Sequence, residues 1–285
     1  MRVLVTGAGG QLGRDVVAAC ERAGDDVIAA DRTHLDVTDR DAVLGAVLSV
    51  RPDVVVHTAA WTAVDACESD PWRAYRDNAL AVRWVAEACA RGAIHLVHLS
   101  TDYVFDGEQA EPYVEWDQPA PRSIYGQSKW AGEREALGLL PGATAVRTSW
   151  VCGAHGANMV KTILRLAAQQ DRLTFVDDQR GHPTFTADLA PMIRRLAVDR
   201  RPGVHHVTNQ GAVSWFEFAE AVLTAAALDP ARVSPIATRD LVPPRPAPRP
   251  ANSVLENLAL RRSGIPLLPH YRESLDRLVA ELVDR

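Results

Sequence analysis

Val3-Leu4-Val5-Thr6-Gly7-Ala8-Gly9-Gly10-Gln11-Leu12-Gly13 is the stretch on which the fold turns. A short apolar run stops at a glycine-rich turn, and a helical period begins at Leu12. Small residues there let the backbone approach a pyrophosphate, whose charge suits the helix N-terminus. Gly7, Gly10 and Gly13 are spaced GxxGxxG rather than GxGxxG. Tight strand-to-helix turns also use glycine with no ligand. The weight therefore comes from position, straight after the first strand and opening the first helix.

Outward from this turn the chain alternates between two periods. Leu12 to Ala23 reads as a helix closed by Gly24. Val27-Ile28-Ala29-Ala30 is a second run, ending in Asp31. A carboxylate at that point can bind the adenosine ribose hydroxyls; an ordinary strand-end turn Asp is the plainer reading. Arg32 is placed to receive a 2′-phosphate, so NADPH and NADH both stay open. Asp36-Val37 lies where a loop flanks adenine, and a turn Asp fits that spacing equally. Asp41 to Val50 is helical, Val54-Val55-Val56 is a third run, Pro71 to Arg91 a long helix and Ile94 to Leu99 a fourth run. Such runs separated by helices are βαβ units on a parallel sheet buried on both faces.

The second half is less regular. Ile124 to Leu140 is helical, 143–147 a strand and Asn158 to Gln170 a helix. Ser214 and Glu217 make a capping box that opens a helix to Ala227. The Pro-rich stretch 243–250 reads as an extended arm, and Tyr271 to Val283 as a last helix. The expected fold is α/β: a Rossmann-type doubly wound parallel sheet with a smaller C-terminal substrate-binding subdomain. Residues 1–150 form the NAD(P)-binding domain and 151–285 mainly bind substrate, with a discontinuous boundary.

Composition sets the outer limits. At 285 residues, 47% hydrophobic and 24% charged, the chain can bury a core without disulfides or structural metal. A net charge of -5 lacks the basic surplus of a nucleic-acid binder. Cys20, Cys67, Cys89 and Cys152 show no metal-ligand or disulfide spacing, which fits a reducing cytoplasm. No apolar run is long enough for a membrane span or a signal h-region. The expectation is a cytoplasmic protein with no nucleic-acid or membrane partner and no metal site assigned.

Tyr125-Gly126-Gln127-Ser128-Lys129 is the second constellation. Residues four apart share one helix face. An ammonium beside a phenol favours the phenolate, so Lys129 is expected to pull the Tyr125 pKa down and let the pair move a proton at a carbonyl. A surface Tyr beside a solvated Lys is the plain alternative, but only two lysines occur, Lys129 and Lys161. Thr101, after the fourth run, can hydrogen-bond the oxygen that Tyr125 serves. The glycines, Asp31, Ala60-Trp61-Thr62 and Thr101 all fall at strand ends, where open α/β sheets bind ligands.

Together these features resemble the extended short-chain dehydrogenase/reductases, and within them the dTDP-4-dehydrorhamnose reductase family. The closer resemblance rests on the Gly7 to Gly13 turn, 57–65 (His-Thr-Ala-Ala-Trp-Thr-Ala-Val-Asp), 100–107 (Ser-Thr-Asp-Tyr-Val-Phe-Asp-Gly), Tyr125 to Lys129, Arg147-Thr148-Ser149-Trp150, 178–184 and 249–253. It implies NAD(P)H-dependent reduction of a 4-keto dTDP-sugar to dTDP-L-rhamnose. Carried over by position, Gly7, Gly10, Gln11, Leu12 and Gly13 cradle the pyrophosphate, and Asp31, Asp36 and Val37 hold the adenosine end. Ala60, Trp61 and Thr62 line the dinucleotide. Tyr125 is the proton donor, Lys129 its partner and a ribose contact, Thr101 a hydrogen-bond donor to the reacting oxygen. Thr101, Asp102 and Trp150 contact the sugar, and Asn78 stands behind Lys129. Some family members bind Mg2+ through acidic residues at a dimer contact; no such cluster stands out here. Rival readings are another extended short-chain NDP-sugar epimerase, dehydratase or reductase, a binding subunit like that of methionine adenosyltransferase, and a scaffold with a relic site. Thr101 and Trp150 favour the reductase, since a binding module needs no sugar platform.

Overall fold

The computed structural model describes residues 1–283. Strands β1 (Arg2–Thr6), β2 (Asp26–Ala30), β3 (Val54–His57), β4 (His95–Thr101) and β5 (Thr144–Thr148) form one sheet with the strand Gly203–His206. The order is β2-β1-β3-β4-β5 and then 203–206, with every neighbouring pair parallel. The chain leaves β1 for β2 on one side and returns to β3 on the other. That switch point opens a crevice at the carboxyl ends of β1 and β3.

Successive strand residues face opposite sides. Val3, Val5, Val54, Val56, Val97 and Val146 pack under α1 (Gln11–Arg22) and the helix Thr186–Val198. Leu4, Val55 and Leu96 pack under α2 (Arg40–Val50) and, further along, under two later helices. These belong to the series α3 (Val64–Ser69), α4 (Pro71–Tyr75), α5 (Ala81–Gly92) and α6 (Ile124–Leu139). A separate core, with Ile163, Phe185, Phe218, Leu223, Tyr271 and Leu275, gathers chain from beyond residue 150. The sheet nevertheless takes its sixth strand from 203–206.

Among the departures from the sequence reading, two are helical. The helix expected over Pro71 to Arg91 is broken by a π-helical turn at Arg76–Leu80. Such turns often mark functional sites, and this one carries buried Asn78. Helix Thr186–Val198 is not foreseen, and Pro191 lies inside it. An interior proline costs about 3 kcal/mol, whereas burying Leu189, Ile193 and Leu196 against the sheet returns roughly 1.5–3 kcal/mol each. Burial wins.

The core also stores histidines. His57, His95, His98, His182, His205 and His206 are all buried. Burial pushes His57 and His206 down to about 3, His95 and His182 to about 4, His98 well below its ordinary value and His205 below it. The fold thus holds imidazoles neutral that the unfolded chain protonates. Their stabilisation is present above about pH 6.5 and is lost as pH falls from there towards 4 and 3. Each steepens the loss by about 1.4 kcal/mol per pH unit within that window. Asp102, raised to about 6 by burial, and Glu115, also raised by burial, act in the opposite sense but are outnumbered. Urea midpoints should therefore drop sharply between pH 6.5 and 5. Equal midpoints at pH 7 and pH 5 would contradict this account.

Candidate active site

The cradle begins with steric facts. Gly7 has φ +72°, and a Cβ there would lie 2.6 Å from the Ala59 nitrogen. A Cβ on Gly13 would lie 2.2 Å from the Gly7 carbonyl oxygen. Glycine at both points lets α1 start tight against β1 and β3. Gly10 is the N-cap of α1 and gives no side-chain cap, so first-turn N–H groups stay open to an anion. Beside this turn lies a cavity of about 450 Å³ bordered by Gly7, Gly10, Asp31, Asp36, Val37 and Trp61.

Asp31 is partly committed to its own loop. Its Oδ1 accepts from the Thr33 N–H at 2.9 Å, the Thr33 hydroxyl at 2.6 Å and a His34 Nδ1 contact at 2.7 Å. The hydrogen bonds from Thr33 and His34 hold the carboxyl well below the usual carboxylate range. Asp36 accepts from the Thr38 N–H and hydroxyl in the same manner. Arg32 and Arg73 border the same cavity, and Arg73 lies 4.2 Å over the Trp61 ring. Asp31→Ala removes a fixed negative charge from beside a 2′-phosphate and leaves Arg32. The ratio of kcat/KM for NADPH over NADH should rise about tenfold or more; an unchanged ratio would place Asp31 away from the ribose.

A second cavity, of about 460 Å³, shares Gly10, Thr58 and Ala60 with the first. Around it stand Gln11, Leu12, Gly13, Thr62, Thr101 and Asp102, and with them Tyr125, Lys129 and Trp150. The tertiary structure thus brings the sequence candidates other than Asn78 to two adjoining spaces. Ser123 caps α6 by accepting from the Gly126 N–H at 3.1 Å. Gly126 lets α6 press on the Tyr103 carbonyl, where a Cβ would come within 2.2 Å. Tyr125 and Lys129, one turn apart, therefore point inward.

The expected pKa coupling is corrected here. Burial pushes the Tyr125 phenol above its ordinary value, a hydrogen bond with Thr101 draws it back and the Asp102 charge adds to the rise. Lys129 lies buried on the same face of α6. Its Nζ donates to the Leu99 carbonyl at 2.6 Å, and burial lowers Lys129 itself to about 8, against a rise from Glu133. Thr101 donates to Asp102 Oδ1 at 2.8 Å, while Asp102 Oδ2 is buried without a partner. At neutral pH the phenol is loaded with its proton and the ammonium is largely charged.

Asn78 hydrogen-bonds beside Lys129 rather than to it. Its Oδ1 accepts from the Trp61 N–H at 2.8 Å, and its amide donates to the Trp61 carbonyl and the Ser128 hydroxyl at 3.0 Å each. It ties the cofactor-lining segment to α6. Trp150, with φ +47°, does border the second cavity, but one ring face is covered by Trp215 at 3.5 Å and 8°. Gly181 lies against the same indole, where a Cβ would approach to 2.7 Å. The sequence reading missed Trp215, seeing only the helix start at Ser214. It also missed a third cavity, of about 450 Å³, where Phe175, Leu166 and Met159 meet Arg245 and Arg249. Arg249 is bound by Asp65, with Nη2 to Oδ2 at 2.8 Å. The 57–65 motif and the later arm carried that signal, but no spacing links residues so far apart.

The family model of the RmlD substrate binding domain matches residues 1–283. The chain belongs to this family. A dTDP-4-dehydrorhamnose reductase of Streptomyces griseus is 43% identical over 100% of this chain and 95% of its own length. A probable dTDP-4,6-dihydroxy-2-methyloxan-3-one 4-ketoreductase of Streptomyces antibioticus is 45% identical over 96% of this chain and 93% of its own. The crystal structure of dTDP-4-dehydrorhamnose reductase from Bacillus anthracis str. Ames in complex with NADP superposes with a TM-score of 0.94. It is 39% identical and covers 98% of this chain and 99% of that one. The RmlD-family chain described here is accordingly an oxidoreductase of the Rossmann type. Among its described residues no group of three or more His, Cys, Asp or Glu side chains is gathered to hold a metal. No helix among those residues is long and apolar enough to cross a membrane.

Proposed function

We propose that this chain reduces the 4-keto group of dTDP-4-dehydro-6-deoxy-L-mannose to dTDP-L-rhamnose with NADPH. The observation that carries the reading is the junction of the cradle cavity with the Tyr125–Lys129–Thr101 cavity through Gly10, Thr58 and Ala60. NADPH, when bound, supplies the hydride that reduces the ketone carbon. Gly7 to Gly13 and α1 hold its pyrophosphate, and Asp31, Asp36 and Val37 border its adenosine. Lys129 orients the nicotinamide ribose. Tyr125 brings its O–H to the carbonyl oxygen, where charge develops, and the Thr101 hydroxyl turns from Asp102 to join it. Tyr125 passes its phenolic proton to that oxygen, and the nearby ammonium steadies the phenolate left behind.

The division of labour is discontinuous: the 1–150 segment binds the cofactor, the later segment shapes the sugar site, and 203–206 returns to the sheet. The nucleotide end of the substrate fits the third cavity, where apolar walls meet Arg245 and Arg249. A pyrophosphate there is matched by guanidinium groups. A dimer is also consistent with the family, and the cytoplasm with four unpaired cysteines. The test is NADPH oxidation with freshly made dTDP-4-dehydro-6-deoxy-L-mannose, with a simple ketone as control. Turnover of the nucleotide sugar alone supports the reading. Preference for another 4-keto dTDP-sugar would transfer the chain to a neighbouring specificity such as that named for the Streptomyces antibioticus relative. Absence of any turnover with tight NADPH binding would favour the binding-subunit rival.

A further inference from the structure

Among the described residues only two border both the catalytic cavity and the third cavity: Tyr103 and Trp215. Tyr103 meets Tyr125 edge to face, with ring centroids 5.5 Å apart and planes at 76°. Trp215 lies flat on Trp150. It is fixed at its root, because Ser214 caps its helix reciprocally with Glu217 and donates to Asp177 at 2.6 Å. Behind it, Phe218 packs edge-on at 6.1 Å and is fully buried. The indole is therefore a rigid wall between two spaces that one substrate must occupy together.

We propose that Trp215 is a substrate-positioning residue that sets the register between diphosphate and reacting carbonyl. The inference rests on the reading that a nucleoside diphospho-sugar spans both cavities. The diphosphate stays on the Arg245 and Arg249 side. The sugar joined to it crosses the exposed margin of the Trp150–Trp215 pair, whose apolar rings suit a deoxysugar face. Trp150 cannot serve alone, since Trp215 covers one of its faces and Gly181 crowds it. The pair holds the carbonyl at the Tyr125 end, so substrates lacking the diphosphate, or with another sugar between, fall out of register.

Calorimetry with dTDP, dTDP-L-rhamnose and NADPH tests the idea on the full chain, with Trp215→Ala and Trp215→Phe. A buried aromatic contact supports an expected loss of about 10- to 30-fold in dTDP-L-rhamnose affinity for the alanine variant. dTDP alone should weaken by less than about threefold, and NADPH should not change. KM for the nucleotide sugar should rise, and the phenylalanine variant should recover most of the affinity. Loss of the stacked-indole signal in near-ultraviolet circular dichroism reports that the pair has gone. Equal weakening of dTDP and dTDP-L-rhamnose would make Trp215 only part of the nucleotide wall and overturn the proposal, as would no effect on either. Should the alanine variant not fold, Trp215→Leu, which keeps apolar bulk without a ring, takes its place: it must weaken dTDP-L-rhamnose more than dTDP. A wild-type chain that binds neither ligand refutes the functional reading itself, a result separate from these.

Discussion

Tyr125→Phe should lower kcat by about 10²–10⁴-fold, the usual worth of a positioned general acid. The substitution removes one oxygen and keeps the ring, so the edge contact with Tyr103 and the burial of this face of α6 survive. NADPH affinity should stay within about threefold of wild type, because the glycine cradle and Asp31 are untouched. The measurement pairs steady-state kcat with fluorescence titration of NADPH. A variant that turns over the nucleotide sugar at near wild-type rate would remove Tyr125 from the chemistry and leave the dinucleotide-binding reading in its place.

Lys129→Met should cost at least as much in kcat, and unlike the first variant it should also weaken NADPH about tenfold or more. Its ammonium is buried and donates to the Leu99 carbonyl, with two further protons for the cofactor ribose. Burial places its pKa at about 8. The charged form is then present below about pH 8 and lost above it, so wild-type kcat/KM should fall as pH rises through that value. The tyrosine does not supply this limb, since its own pKa lies above its ordinary value. The methionine variant should show no such limb. If it keeps the same alkaline fall, another group is titrating. The split between the variants separates proton donation from cofactor seating, which loss of rate alone cannot do.

The neighbours of Lys129 explain why the sequence misjudged its influence. Residues four apart on a helix share a face, but sharing a face does not fix where a flexible ammonium finds its acceptor. Leu99 is thirty residues away on β4 and takes that contact. The same holds for Glu133, which the reading left unmentioned. It pairs with Arg147 at 2.7 Å, both fully enclosed, and accepts from Ser100. A buried pair such as this is strongly destabilising when one partner alone is removed, yet nothing local in the sequence joins strand β5 to helix α6.

The sequence by itself determined the alternation of strands and helices, the parallel sheet, the glycine turn at 7–13 and the identity of Tyr125, Lys129, Thr101 and Asp31 as the chemical candidates. These are local matters: hydrophobic period, the positive φ of Gly7, and residue types whose chemistry is intrinsic. Only the tertiary structure decided that Asn78 braces Trp61 and Ser128, that Trp150 is backed by Trp215, and that Arg249 reaches Asp65 across the chain. It also decided that Pro191 sits inside a helix and that 203–206 completes the sheet. Each of these depends on burial and contact between distant segments, whose energies of a few kcal/mol override local preference and leave no period or spacing in the sequence to read.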